Sequence, residues 1–169
     1  MTYLKRFLMA VILTVPMLHS AAMADDDGYG FTNPKMPTEK IITGGQPTVA
    51  DVEKLKAAGV KLIINMRGAN ERDQSDIKAA AAAAGMRYLN IPITSNNAIS
   101  AESAKLLDEA LASEKDGKVF THCGSGNRVG AIMALRAYHV EGKTAEEAIA
   151  FGKSAGLTRL EGVVKEKLQ

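Results

Sequence analysis

"KVFTHCGSGNRVGA", residues 118–131, decides how the chain folds. Lys118 to His122 is a short β-prone run entered by an Asp116-Gly117 turn, and the residues from Arg128 onward begin a helix. Between them lie Cys123, the only cysteine of the chain, and glycines at 124 and 126. A strand passing through a glycine-rich turn into a helix lets the backbone N–H groups of Gly124, Ser125, Gly126, Asn127 and Arg128 converge on one point. The helix dipole adds to that attraction, so the turn is a seat for an anion. A thiolate is itself an anion, and the same field favours the nucleophilic form of Cys123. His122 and Ser125 are candidate supporting donors. Arg128 carries a planar fork suited to two oxygens of a tetrahedral anion.

Working outward, "VKLIINM" (60–66) and "MRYLNIPI" (86–93) read as further strands, and "IITGGQPT" from Ile41 as a strand and turn. The first of these runs is apolar without surface alternation, as in a strand covered on both faces. Helices are predicted over about 49–58, capped by Thr48 with Asp51, over about 76–84, and after Ser100 to about Ser113. The last of these carries Leu106, Leu107, Ala110 and Leu111 on its apolar stripe. A helix from about Arg128 to Glu141, one started by Thr144 with Glu147, and a terminal one complete the pattern. Alternating helices and buried strands predict an α/β three-layer sandwich around a central, mainly parallel sheet of four to five strands. Ligands of such sheets sit beyond the carboxyl ends of the strands, where Cys123 lies.

At the other end, Lys5 and Arg6 precede an apolar run from Phe7 to Leu18 and then Ala22-Met23-Ala24. This is the pattern of a signal peptide, residues 1–24, and implies a periplasmic or secreted protein without stable membrane insertion after cleavage. Residues 25–37, rich in Gly, Pro and Asp, read as a flexible arm, and residues 38–169 as one domain. The chain holds 21 Lys+Arg against 19 Asp+Glu, and the signal removes two of the basic residues, which leaves no charge excess to attract nucleic acid. Trp is absent and there are four Phe, too few for an aromatic base-stacking platform. A single cysteine excludes an internal disulfide, and no Cys/His cluster has metal-ligand spacing, so neither metal nor cofactor is expected.

The His122-Cys123 … Arg128 turn resembles the signature of the cysteine-dependent tyrosine and dual-specificity phosphatases. "ITGGQPT", "AAGVKLIINMRGANE", "GMRYLNIPIT" and "HCGSGNRVGAIMAL" occur in the order seen in their bacterial β-lactamase-hydrolase-like subgroup, over about residues 38–157. The resemblance implies a hydrolase of phosphate monoesters, on phosphorylated protein or a small phosphoester. Cys123 would be the nucleophile, Arg128 the clamp, and His122, Gly124, Ser125, Gly126 and Asn127 the phosphate-binding residues. The family's Asn-x-Arg…Glu loop borders its anion site, which makes Glu71 or Asp73 the candidate acid here.

The chain departs from that pattern in three places. Four residues separate Cys123 from Arg128 where the pattern has five, Val129 stands where many members have Ser or Thr, and the 94–100 loop contains no Asp or Glu. Rhodanese-like sulfurtransferases use the four-residue spacing, and a smaller N–H ring suits a persulfide on Cys123. The Asp-x-Arg of those enzymes is absent, however: the strand ends Asn65-Met66-Arg67. A phosphate-binding module without turnover is the third alternative.

Overall fold

The structure, a computed structural model, describes residues 28–71 and 73–169. The predicted signal peptide and the first residues of the arm lie outside the described residues. Five strands form one sheet: β1 (Lys35–Thr38), β2 (Ile41–Gly44), β3 (Val60–Asn65), β4 (Arg87–Asn90) and β5 (Lys118–His122). Their order is β1-β2-β5-β3-β4, with β1 antiparallel to β2 and every other pairing parallel. The α/β sandwich is therefore as the alternation predicted, with β5 at its centre. Parallel register sets Gly44 and Asn65 on either side of His122, so the ends of three strands meet at the residue before Cys123.

Among the described residues six helices cover the two faces: α1 (Val49–Ala57), α2 (Ser75–Ala83), α3 (Ala101–Ala112), α4 (Asn127–His139), α5 (Ala145–Ser154) and α6 (Glu161–Lys167). One core packs Ile42, Ile63 and Phe120 against Val52 and Leu55 of α1 and Ile77 of α2. The other packs Leu62, Ile64 and Val119 against α3, α4, α5 and α6. The period-2 alternation of a strand sends neighbouring residues to opposite cores, which is why Leu62, Ile63 and Ile64 of β3 and Val119 and Phe120 of β5 form unbroken apolar runs. Capping boxes at Thr48, Ser100 and Thr144 close the starts of α1, α3 and α5. Within α3, Leu107 is fully buried, but Leu106 is 47% exposed, so the apolar stripe is narrower than predicted.

The described part of the 25–37 segment, which composition reads as a flexible arm, packs against the domain. Phe31 is 5% exposed and stacks on Tyr29 and against Phe120, and β1 extends the sheet. The Gly30 N–H donates to the buried Asp51 carboxylate at 2.6 Å, which also accepts from the Thr48 N–H and hydroxyl. These charge-assisted bonds hold Asp51 below the usual carboxylate range against the opposing effect of its burial. Composition alone hides such an anchor, because one Phe in a Gly/Pro-rich stretch and one Asp far along the chain do the work.

Candidate active site

The turn between β5 and α4 is built as the sequence predicts. Gly126 caps α4 in the left-handed region, φ 86°, which an L side chain resists, and a Cβ there would also lie 3.1 Å from the Asn33 amide nitrogen. Glycine offers no side-chain oxygen to the first-turn N–H groups of α4. Those donors stay available to an anion. Cys123 sits 1% exposed at the floor, and the Gly126 N–H donates to its Sγ at 3.2 Å. The turn is braced from β2: Cys123 N–H donates to Gly44 O, Gln46 N–H donates to Gly124 O, and Gly45 bridges Ser125.

Arg128 reaches back across this turn. Glu71 grips it end-on, with Oε1 2.6 Å from Nη1 and Oε2 2.7 Å from Nη2, and the Ile93 carbonyl accepts from Nη1 at 2.9 Å. A guanidinium has five N–H donors. Nη1 is thus committed, and the donors left over are Nε–H and the second hydrogen of Nη2. These two lie side by side on one edge, a fork matched to two oxygens of a tetrahedral anion. Arg67 lies beside the turn, its Nη1 3.3 Å from where a Gly124 Cβ would stand, and its Nε is buried without a hydrogen-bond partner, 3.7 Å from Glu71 Oε2.

Above the turn opens a cavity of about 720 Å³ whose walls include Glu71, Thr94, Asn96, Ser125, Arg128 and Arg159. Several predicted site residues have other roles than expected. His122 is fully buried, and its ring stacks on Phe120, on the sheet face opposite the cavity. Its Nδ1 lies 3.4 Å from the Cys123 carbonyl; the tautomer with hydrogen on Nδ1 makes this bond and leaves Nε2 without a partner among the described residues. Burial pushes its pKa down to about 4, with the Cys123 carbonyl opposing and Arg67 and Arg128 adding to the fall. His122 is a neutral support for the turn backbone rather than a contact to the anion. The β-strand alternation that pairs residue 122 with residue 120 already carries this information.

Asn127 is likewise diverted. Its Oδ1 accepts from the Thr158 N–H at 2.8 Å and the Leu160 N–H at 3.4 Å, so that oxygen is taken up by the 158–160 segment. Neither candidate acid holds a proton near neutrality. The Arg128 hydrogen bonds, opposed by burial and assisted by the Gly68 N–H, bring Glu71 down to about 2. Asp73 accepts from the Ser75 N–H at 2.8 Å, which lowers it, and it lies outside the walls of the cavity. In place of a proton donor's surroundings, Glu71 has the guanidinium of Arg128, which it orients, and Asp73 has the start of α2.

A mainly parallel sheet with a cysteine loop at the end of its central strand, and an arginine folded back over that loop, defines a protein of the cysteine phosphatase class. The chain belongs to the family described as DSP-PTPase phosphatase fused to NAD+ kinase, which matches residues 22–164. The β-lactamase hydrolase-like protein of Agrobacterium fabrum (strain C58) is 37% identical over 101 residues, 57% of this chain and 23% of that protein. The chain thus spans about a quarter of the length of that curated relative. Among solved structures, the candidate phosphatase nma1982 of Neisseria meningitidis Z2491 superposes with a TM-score of 0.66 at 23% identity, over 79% of this chain and 96% of that one. P. aeruginosa TpbA in complex with phosphotyrosine gives 0.57 at 17%, over 78% and 80%. These two likenesses concern the fold.

Proposed function

We propose that the chain is an exported phosphatase that hydrolyses phosphate monoesters through a phosphocysteine on Cys123. The observation that carries this is Arg128 held beside Cys123, its Nε edge left open by Glu71, at the uncapped first turn of α4, where the Gly126 N–H donates to Sγ. The Cys123 thiolate attacks phosphorus and the bond to the ester oxygen breaks, so a sulfur–phosphorus bond replaces it. The turn N–H groups and Arg128 bind the three remaining oxygens most tightly in the transition state. The leaving oxygen departs as an anion and takes its proton from solvent. Water then attacks phosphorus, the sulfur–phosphorus bond breaks, and phosphate and thiolate are released.

Export rests on the Lys5-Arg6, apolar-run and Ala22-Met23-Ala24 pattern and places the enzyme in the periplasm or outside the cell. The phosphotyrosine held by the TpbA neighbour supports phosphorylated protein as one substrate class, and a small phosphoester is the other. The four-residue Cys123–Arg128 spacing favours one further reading, persulfide transfer by Cys123.

One experiment separates them. The purified protein is given 4-nitrophenyl phosphate, or thiosulfate with cyanide, quenched in acid and weighed. Phosphatase action predicts steady nitrophenol release and a phosphoryl mass on Cys123, both lost in Cys123→Ser. A one-sulfur mass on Cys123 with no nitrophenol release sinks the proposal in favour of sulfur transfer.

A further inference from the structure

We propose that Arg159 is a specificity-determining residue, selecting phosphoesters that carry a second oxyanion, a carboxylate or another phosphate, on the part of the substrate outside the cysteine loop. The inference rests on the phosphatase reading of the site and names the substrate class it serves.

Arg159 lies in the connection between α5 and α6, and it forms part of the cavity wall that also holds Arg128. Its backbone is bracketed: the N–H groups of Thr158 and Leu160 both donate to Asn127 Oδ1, and Asn127 is the first residue of α4. The asparagine that the sequence offers as a phosphate ligand thus ties the 158–160 segment to the phosphate loop. Gly130 makes that approach possible, because a Cβ there would stand 2.0 Å from the Leu157 nitrogen. The backbone that carries this exposed arginine is in this way fixed at the cavity wall beside Arg128.

Its charge is uncommitted. Among the described residues, Arg67, Arg87, Arg128 and Arg136 each face a carboxylate, whereas Arg159 has neither ion pair nor hydrogen bond. Glu71 balances Arg128 within the cavity wall, so Arg159 supplies the surplus positive charge. The rest of the wall is mixed. Among the described residues no aromatic side chain lines the cavity, and Thr94, Ser95 and Asn96 share it with Ile93, Ile99 and Leu160. A substrate suited to these walls bears a second negative group within reach of residue 159.

The test uses binding as well as turnover. In the Cys123→Ser background, phenyl phosphate, the 2-, 3- and 4-carboxyphenyl phosphates and 1,3-phenylene bisphosphate are titrated by calorimetry. At least one doubly anionic ligand is expected to bind about tenfold more tightly than phenyl phosphate, the worth of one charge-assisted contact. That ratio falls to about one in Arg159→Gln, is partly kept in Arg159→Lys, and shrinks with added salt. The carboxylate and bisphosphate arms tell which oxyanion is preferred. With Cys123 restored, the kcat/KM ratios follow the same order. A ratio unchanged by Arg159→Gln for every ligand, or no preference for any doubly anionic ligand, overturns the inference whether or not phenyl phosphate is hydrolysed. An Arg159-dependent preference without turnover would instead remove the phosphatase reading and overturn Arg159 as a selector of substrate, leaving it a selector in binding alone.

Discussion

Glu71 holds Arg128 by both carboxylate oxygens, so the arginine presents its Nε edge, and no other, to the cysteine loop. The pair decides two things together: the clamp is oriented, and Glu71 is removed from proton transfer. A carboxylate brought down to about 2 is ionised throughout the pH range in which a thiolate enzyme works.

Glu71→Gln keeps the side-chain shape but exchanges one acceptor oxygen for an NH₂ that points its hydrogens at Arg128. We expect kcat/KM for an aryl phosphate to fall by the equivalent of about 2 kcal/mol, the scale of a misplaced oxyanion donor. Glu71→Asp should recover part of it. The pH–rate profile should keep its limbs in the same places, because Glu71 is not the group that titrates. Disappearance of a limb in Glu71→Gln would return it to the role of acid.

Arg128→Lys tests the fork itself. A lysine retains the charge but replaces two adjacent planar donors by one point charge. A loss of about 2–4 kcal/mol in transition-state binding is expected from steady-state kinetics. Turnover equal to the parent protein would place Arg128 outside the site.

His122 predicts an acid instability. Folded, its pKa lies at about 4; unfolded, the imidazole takes a proton near 6.5. Between these values the unfolded chain binds more protons, so stability falls as the pH drops from about 6.5 to 4, by up to about 3 kcal/mol. Above pH 6.5 the residue contributes no slope. Urea unfolding at intervals across this range should show the decline in the parent protein and lose this component in His122→Gln. Glu71 adds its own loss only lower, as the pH falls from about 4.5 towards 2, so the two windows separate.

The sheet, the central position of Cys123 and the identity of the arginine were legible because each depends on local pattern: buried β-runs, a glycine turn, one arginine at helix start. What was not legible depends on long-range partners. Glu71 and Asp73 look alike in "RGANERDQSD", and only the fold shows that Arg128, far along the chain, takes the first and leaves the second to cap α2. Asn127 fits a phosphate ligand by sequence, yet Thr158 and Leu160 claim its oxygen. Arg159 belongs to no motif, and its importance follows from the bracket around it. Phe31 was hidden by its neighbours' composition.

The packing of the N-terminal segment yields a stability prediction. Phe31 fills a core position between Tyr29 and Phe120, so Phe31→Ala should cost about 3–5 kcal/mol, as for other large-to-alanine core changes. Thermal or urea unfolding reads this directly. A change within about 0.5 kcal/mol, the range of ordinary surface substitutions, would mean that the segment behaves as a free arm in solution.

The absence of a proton donor bears most directly on chemistry. Among the described residues no carboxyl group in the cavity wall except Glu71 is present, and Glu71 stays ionised. The leaving oxygen must therefore depart as an anion, and the rate should depend strongly on how stable that anion is. General acid catalysis contributes about 10²–10⁴-fold where it operates. Aryl phosphates should accordingly outrun alkyl phosphates of similar size by a factor of that order or more, and kcat/KM across substituted phenyl phosphates should rise steadily as the phenol becomes more acidic. Placing an acid in the 94–100 loop, as in Asn96→Asp, should raise alkyl phosphate turnover more than aryl turnover, since only the poor leaving group needs the proton. A flat dependence on leaving group in the parent protein would show that a donor reaches the site after all. Equal gains for both substrate types in Asn96→Asp would mean that the new carboxyl acts on binding instead of on the departing oxygen.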